Sequence, residues 1–226
     1  PTTAPVDSAG SNNAFAGNVT ELILSADSTT QSWQGYFGNV SGTIQLADSN
    51  SNVLYNWSVV SPSGEVYAST NSSIQWTNIQ CLNFTAAGNF SAESGNGGNT
   101  SLYGTNLSQL ESRFNIVSTD VDGVDETFSL SGAGTHDLFY TANNQFSEGE
   151  CRNSRIFDST GVGVNNKFEE ALLYEPVSAS VVFASILDSD AAGFDSATHD
   201  FEMLVPEDGH GTDVASTSYY FFVELQ

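Results

Sequence analysis

Positive charge is almost absent from this sequence of 226 residues. Lysine and arginine together number 4 against 27 aspartates and glutamates, which gives a formal net charge of -23. Such a field repels nucleic acid and anionic membrane surfaces, so it disfavours both as partners. The same acidity is expected of a protein adapted to a salty or acidic medium, of one kept soluble by its charge, or of one that binds divalent cations.

Long apolar runs and common catalytic motifs are also missing. No uninterrupted apolar stretch approaches the roughly 18 to 20 residues that cross a bilayer, so no membrane span is predicted. The chain begins at Pro1 with a polar segment that is not a signal peptide, which suggests that a leader has been removed. A type IV pilin would keep an apolar N-terminal helix, which residues 1–17 cannot form. The three histidines lack the spacing of a zinc site, and no Gly-x-Ser-x-Gly motif occurs.

The sequence contains two cysteines, Cys81 and Cys151, which are too far apart for a CxxC motif. In a secreted chain the simplest interpretation is one disulfide between them. Such a bond would close a loop of about 70 residues and stabilise the fold by about 4 kcal/mol in the chain-entropy model. Two buried free thiols are the alternative.

Apolar and polar residues alternate with a period of two through much of the chain, which predicts an all-β fold. Val53, Tyr55 and Trp57 lie on one face of a strand whose other face is polar. In the preceding strand, Tyr36, Val40, Ile44 and Leu46 share one face, and together the two segments predict two half-buried strands joined by a turn at residues 48–52. Further strands are predicted at residues 19–26, 64–68, 73–80, 126–131, 167–174, 179–187, 199–205 and 218–225. About ten such strands predict an antiparallel β-sandwich or barrel-like sandwich, with one short helix at residues 106–114.

The domain organisation follows from the composition of the two ends. Residues 1–17 are a polar tail, and residues 18–226 are predicted to form one β-rich globular domain that includes a long surface loop at residues 86–104. A tail of this composition becomes ordered only against its own domain or a neighbouring subunit, so it is a candidate donor strand. Residues 219–223 carry large apolar groups on both faces and are predicted to be covered on both sides.

N-glycosylation acceptors, Asn-x-Ser/Thr, are the most specific local signal. They occur at Asn18, Asn39, Asn56, Asn71, Asn83, Asn89, Asn99 and Asn106. All eight lie in the first half of the chain, although asparagine, serine and threonine continue beyond it. We therefore expect N-linked glycans on several of them, although a chain rich in these residues also produces acceptors by chance.

Asp120, Asp122 and Asp125 alternate around Gly123 in a manner similar to the start of a calcium loop. The position that holds the bidentate glutamate of an EF-hand is Gly132 here, and an Asx-rich turn before a strand would have the same sequence. These three aspartates are the candidate ligands for calcium, and no other cofactor is predicted. Trp33, Trp57 and Trp76 fit either a carbohydrate-stacking platform or, more commonly at strand spacing, the core.

Several segments carry a likeness to a known family. They are residues 33–44 (WQGYFGNVSGTI), 55–57, 64–69 (GEVYAS), Trp76 with Cys81, residues 200–209 (DFEMLVPEDG) and the aromatic last strand. They resemble a family of secreted archaeal surface glycoproteins, and this resemblance implies a cell exterior with N-linked glycans and no enzymatic activity. By broader analogy it points to archaeal thread and pilus-like filaments, whose β-domains join by donor-strand exchange.

Taken together, these features predict a non-enzymatic structural subunit of an extracellular filament or surface coat. Copies of the chain would join by β-strand addition, with the tail as donor and with Val6 and Phe15 as contacts that set the register. A glycan-binding adhesin is the alternative, and a secreted hydrolase is a third hypothesis. The acidic residues neither favour nor exclude the hydrolase, because a chain with 27 of them always contains some pair suited to glycoside hydrolysis.

Overall fold

The computed structural model describes residues 13–23, 29–84, 107–211 and 213–226. Within these ranges the chain forms fourteen strands, two short α-helices and one 3-10 turn at Trp76–Asn78. The strands and helices are, in chain order, β1 (Trp33–Gly38), β2 (Thr43–Ala47), β3 (Val53–Ser58), β4 (Gly64–Ser69), β5 (Gln80–Cys81), α1 (Leu107–Ser112), α2 (Val124–Thr127), β6 (Phe139–Thr141), β7 (Asn144–Phe146), β8 (Asn153–Arg155), β9 (Glu169–Glu175), β10 (Ser180–Ile186), β11 (Ala191–Ala192), β12 (Thr198–His199), β13 (Phe201–Pro206) and β14 (Tyr220–Leu225).

Six strands form one antiparallel sheet in the centre of the molecule. Its order is β14-β4-β10-β9, and β5 and β8 pair one after the other with the far edge of β9. Strands β4 and β9 are buried along their whole length, and β10 along most of it. These strands carry few exposed polar positions because both faces of the sheet are covered by other parts of the chain.

Two apolar clusters cover the opposite faces of this sheet. Successive side chains of a strand point to opposite faces, so Leu172 and Tyr174 of β9 join one cluster while Ala171 and Leu173 join the other. The first cluster is completed by β13, which pairs with β1, and by the two helices. The second is completed by the β6–β7 hairpin. The hydrophobic core therefore lies on both sides of the central sheet.

Cys81 and Cys151 form a disulfide, as predicted, with their Cα atoms 5.0 Å apart. Cys81 ends β5, and Cys151 lies two residues before β8. Because β5 and β8 pair with the same edge of β9, the bond joins two edge segments that are 70 residues apart in sequence.

The predicted all-β class with antiparallel sheets is confirmed, while its finer form, a sandwich, stays a prediction. The short helix predicted at residues 106–114 is present as α1. The surface loop predicted at residues 86–104 lies outside the described residues, and the division of the chain at residue 17 stays a prediction.

Several of the predicted strands are wrong. Residues 19–23 contain no strand, and residues 24–26 lie outside the described part. Most of residues 73–80 is irregular or 3-10, because Trp76 turns to pack on Tyr67 and Phe222. Residues 126–131 begin inside α2, whose first turn holds acidic side chains that the helix dipole favours.

Candidate assembly surfaces and buried carboxyl groups

The edge strand β14 is paired on one side only within the described chain. The backbone N–H of Gln226 donates to the carbonyl oxygen of Ser63 at 2.9 Å. Because every second residue of an antiparallel strand bonds to its partner, this bond shows which residues of β14 face β4. The N–H and C=O groups of Phe221, Val223 and Leu225 consequently point away from β4. No described segment pairs with this outer edge of β14, which thus offers a template for one more strand.

The side chains of β14 are only partly covered. Phe222 packs on Trp76 with ring centroids 5.0 Å apart, and Phe221 contacts Tyr36 at the same distance. Val223 nevertheless remains 53% exposed, and Phe221 is also exposed. The prediction that this strand is covered on both sides is wrong for the described chain, because β14 lies at the edge of the sheet and not inside it.

Strands β2 and β3 form a hairpin, here called the exposed hairpin (residues 43–58), in which every residue of both strands is exposed. Its turn at residues 48–52 is as predicted, but the strands are not half-buried. The single strand predicted from Tyr36 to Leu46 is also wrong, because the chain leaves β1 after Gly38, where β1 pairs with β13, and begins β2 at Thr43. The cross-strand pairs Ile44 with Trp57 and Leu46 with Tyr55 place four apolar side chains on one face, each 50–58% exposed. The opposite face carries polar side chains and Leu54. Neither face is packed against the central sheet.

The predicted donor segment lies largely outside the described residues, and Val6 is among those not described. Phe15 is 68% exposed, and residues 13–23 contain no strand. The role of Val6 and Phe15 as subunit contacts stays a prediction.

A carboxyl pair lies where β4 and β14 adjoin the β6–β7 hairpin. Glu65 and Glu224 are cross-strand neighbours, and the Tyr67 hydroxyl lies 3.3 Å from an oxygen of Glu65 and 3.1 Å from one of Glu224. Glu65 also accepts from the Tyr140 N–H at 3.3 Å and from the Gln226 amide at 3.1 Å. Burial, with a contribution from the adjacent Glu224 carboxylate, raises the pKa of Glu65 to about 8.

Further carboxyl groups are buried along the central sheet and under the β1–β13 ribbon. Glu170 is fully buried, and one of its oxygens accepts from the Leu204 N–H at 2.8 Å. Glu202 accepts from the Phe194 N–H at 2.9 Å, and Glu169 from the Asp137 N–H at 2.6 Å. Burial raises the pKa of all three carboxyls above the usual range, and that of Glu170 well above it. For Glu169, burial outweighs the opposing effect of Arg155, whose Nε lies 3.5 Å from a Glu169 oxygen.

The described glycosylation acceptors fall into two groups. Asn18, Asn39 and Asn56 are exposed, and Asn56 lies on the polar face of the exposed hairpin. Asn71 and Asn83 are half-buried, and the Asn71 amide donates to the Ser180 hydroxyl at 2.9 Å. Asn89, Asn99 and Asn106 lie outside the described residues. The three exposed acceptors thus have the geometry that a glycan needs.

The candidate calcium ligands are separated by the fold. The Asp120 carboxylate accepts from the Val117 N–H at 2.8 Å, and that of Asp122 accepts from the Thr30 hydroxyl. Asp125 instead joins Glu111 and Glu126 in a group whose carboxylate oxygens lie within 4.8 Å of one another. Glu111 comes from α1, so no local spacing could have indicated it. The calcium site stays a prediction.

The three tryptophans do not share a platform. Trp33 packs on Phe128 with one apolar cluster, and Trp76 packs with the other cluster on the opposite face of the central sheet. Trp57 is exposed on the hairpin. The core interpretation is therefore confirmed for Trp33 and Trp76.

A cavity of about 500 Å³ lies between α1 and the ends of β4 and β10. Its walls include Asn71, Arg113, Phe114 and Tyr219, and no acidic residue of the described chain lines it. The buried carboxyl pair and this cavity are separate features. The geometry that would favour a hydrolase, an acid pair deep in a cleft, is not present at this cavity.

Within the described part of the chain, no helix has the length and apolarity needed to cross a membrane. No family model, curated protein or solved structure matches this chain.

Proposed function

We propose that this protein is a structural subunit of an extracellular filament or surface coat, in which copies join by β-strand addition. The open outer edge of β14 is the observation that carries this proposal. A long open edge on a β-protein invites uncontrolled pairing unless it is blocked or serves as a joint. β14 contains no proline, no lysine and no shift of register that would block it.

The proposed donor is the N-terminal segment, residues 1–15, of a second copy. This segment contains one acidic residue, Asp7, so its approach to a strongly acidic molecule is opposed by little charge. Backbone hydrogen bonds to the outward groups of β14 would supply affinity, and the exposed Phe221 and Val223 would receive apolar donor side chains. Val6 and Phe15 would then set the register.

The extracellular location belongs to the same proposal. Disulfides persist in oxidising compartments, and this chain has one that joins two segments at the edge of the central sheet. The exposed acceptors Asn18, Asn39 and Asn56 add a second, independent feature of secreted proteins.

The substitution Val223→Pro tests strand addition. It removes an N–H that points away from β4, so the protein's own ladder is left intact while a donor strand loses a hydrogen bond and meets the proline ring. Val223→Pro and a chain lacking residues 1–15 should both remain folded by circular dichroism and fail to form filaments under the electron microscope.

The matched control is Val223→Thr, which keeps the N–H and a β-branched side chain and should form filaments normally. Normal filaments from either Val223→Pro or the truncated chain would contradict strand addition at this edge.

Glycan occupancy should follow the exposure of the acceptor side chains. In protein isolated from its native source, glycopeptide mass spectrometry should find Asn18, Asn39 and Asn56 largely occupied. Asn71 should be occupied least among the described acceptors, because its amide nitrogen is bonded to Ser180 and it lies at the wall of a cavity. An intact mass equal to that of the bare polypeptide would refute glycosylation altogether.

A further inference from the structure

We infer that the apolar face of the exposed hairpin binds an apolar groove on a second copy of this chain. The inference rests on the proposed self-assembly and adds a contact distinct from strand addition. It concerns the face formed by Ile44, Leu46, Tyr55 and Trp57.

The exposed hairpin needs a partner for its stability. An isolated two-stranded hairpin is marginally stable in water, and an additional packing surface is usually required. The base of this hairpin is closed by a hydrogen bond from the Val59 N–H to the Gly42 oxygen at 3.0 Å, but its four apolar side chains remain about half exposed. An apolar cluster that the described part of the chain leaves uncovered is typical of an interaction site.

Charge limits which surfaces of two copies can meet. The molecule has a net charge of -23, so two copies repel each other over most of their surface. Residues 1–64 contain four of the 27 acidic residues, and the exposed hairpin contains one, Asp48, located in its turn. The hairpin is therefore a surface that a second copy can approach with little repulsion.

A groove of matching character lies on the outer side of the β1–β13 ribbon. It has a volume of about 250 Å³ and is lined mainly by Tyr36, Phe37, Ile156, Phe194 and Leu204. This is below the roughly 300–1,000 Å³ of small-molecule sites, so it suits a few protein side chains better than a separate ligand. Its acidic residue, Glu202, is 2% exposed.

The aromatic walls of the groove offer edges and faces to an incoming ring. Phe37 and Phe194 meet edge to face with centroids 5.1 Å apart, and both remain about half exposed. Tyr55 and Trp57, which also contact each other at 5.0 Å, can add to such an aromatic cluster.

The contact would be of the head-to-tail type, because hairpin and groove are different surfaces of the same chain. A contact between two different surfaces leaves one of each free on every pair, so it propagates into an open chain of subunits. This geometry agrees with a contact inside a filament that strand addition builds, and not with a closed dimer; by itself, without strand addition, the hairpin contact should give only short, reversible oligomers.

The test uses Val223→Pro as background, so that strand addition does not mask the hairpin contact. Sedimentation velocity should show association of this variant that increases with concentration. Adding Trp57→Lys or Phe194→Glu should weaken the association about 30-fold or more, as expected for loss of a central aromatic contact. The matched controls Leu54→Lys, on the opposite hairpin face, and Val177→Glu, in an exposed turn, should associate like the background.

Mixing the two impaired variants tests whether the hairpin of one copy binds the groove of another. A chain with Trp57→Lys keeps its groove and one with Phe194→Glu keeps its hairpin, so an equimolar mixture should form a species of two chains and no larger one.

Three results would overturn the inference: a background variant that stays monomeric at all concentrations, impaired variants that associate like their controls, or a mixture without the two-chain species. In the second of these cases, a lower melting temperature of the Trp57→Lys monomer would show that the chain's own segments cover the hairpin. The proposed function is judged separately, by the filaments of the unmodified chain against those of Val223→Pro.

Discussion

The free energy of unfolding should fall as the pH is raised from about 4.5 to about 8, so that the protein is most stable in mildly acidic solution. Glu65 is the main cause. Burial raises its pKa from 4.5 to about 8 in the folded protein, whereas the unfolded chain releases this proton near the ordinary value. Such a difference corresponds to stability on the order of 5 kcal/mol.

The direction of this effect follows from which state holds the proton more tightly. The folded protein does so, hence the contribution of Glu65 is complete below pH 4.5 and is lost as the pH rises through about 8. Glu169, Glu170 and Glu202 act in the same direction, because burial raises the pKa of each. With four lysines and arginines in the chain, few cations are available to compensate buried carboxylates.

The free energy of unfolding should also fall at low pH. Hydrogen bonds from Thr160 hold the pKa of Asp158 below 3.8, and the Ala197 N–H and His199 do the same for Asp195. Their contributions are present above the ordinary pKa and are lost as the pH falls below it. The maximum of stability should therefore lie near pH 4 to 5, between the two groups of carboxyls.

The variant Glu65→Gln separates the contribution of Glu65 to this pH dependence from that of the other carboxyls, because an amide resembles the protonated carboxyl and cannot ionise. Its melting temperature should exceed that of the unmodified protein by about 10 °C at pH 8 and differ little at pH 4.5. The exposed Glu148→Gln serves as the control and should show no such difference. A melting temperature of the unmodified protein that is equal or higher at pH 8 than at pH 5 would contradict the conclusion that burial raises the pKa of Glu65.

Loss of the disulfide should lower the melting temperature by about 10 °C. The bond between Cys81 and Cys151 constrains the unfolded chain over a separation of 70 residues, which corresponds to about 4 kcal/mol in the chain-entropy model. It also holds β5 and β8 against the same edge of β9. We therefore expect the double variant Cys81→Ala, Cys151→Ala to unfold earlier by calorimetry at fixed pH.

Reductant provides the control for the cysteine variant. It should lower the melting temperature of the unmodified protein to that of the double variant, and it should not change the double variant itself. An unchanged melting temperature after reduction verified by thiol titration would show that the bond adds no stability.

Much of the fold could be predicted because its signals are local. The strands β4, β9, β10 and β13 coincide with predicted apolar or alternating stretches, and α1 with a predicted spacing of apolar residues. The count of two cysteines allowed one pairing, and the structure decided between this disulfide and two free thiols. The three-residue strands β6, β7 and β8 were not predicted, because segments this short become strands through the neighbours they pair with and carry no periodic signal.

The carboxyl pair shows why sites of this kind escape sequence reasoning. Glu65 and Glu224 are far apart in the sequence and meet because β14 returns to pair with β4. Nothing in the local sequence of either glutamate indicates its burial. The raised pKa of Glu65 exists only once the Tyr67 ring and the β6–β7 hairpin have displaced water from it.

The exposed hairpin separates what the sequence by itself determined from what only the tertiary structure decided. Alternation determined that Tyr55 and Trp57 share one face and that Asn56 lies on the other, because the side-chain period of a strand is a property of the backbone. Whether that apolar face is covered depends on where the rest of the chain packs. The central sheet is already covered on both faces by other elements, so the hairpin is left outside it and its apolar side chains remain exposed.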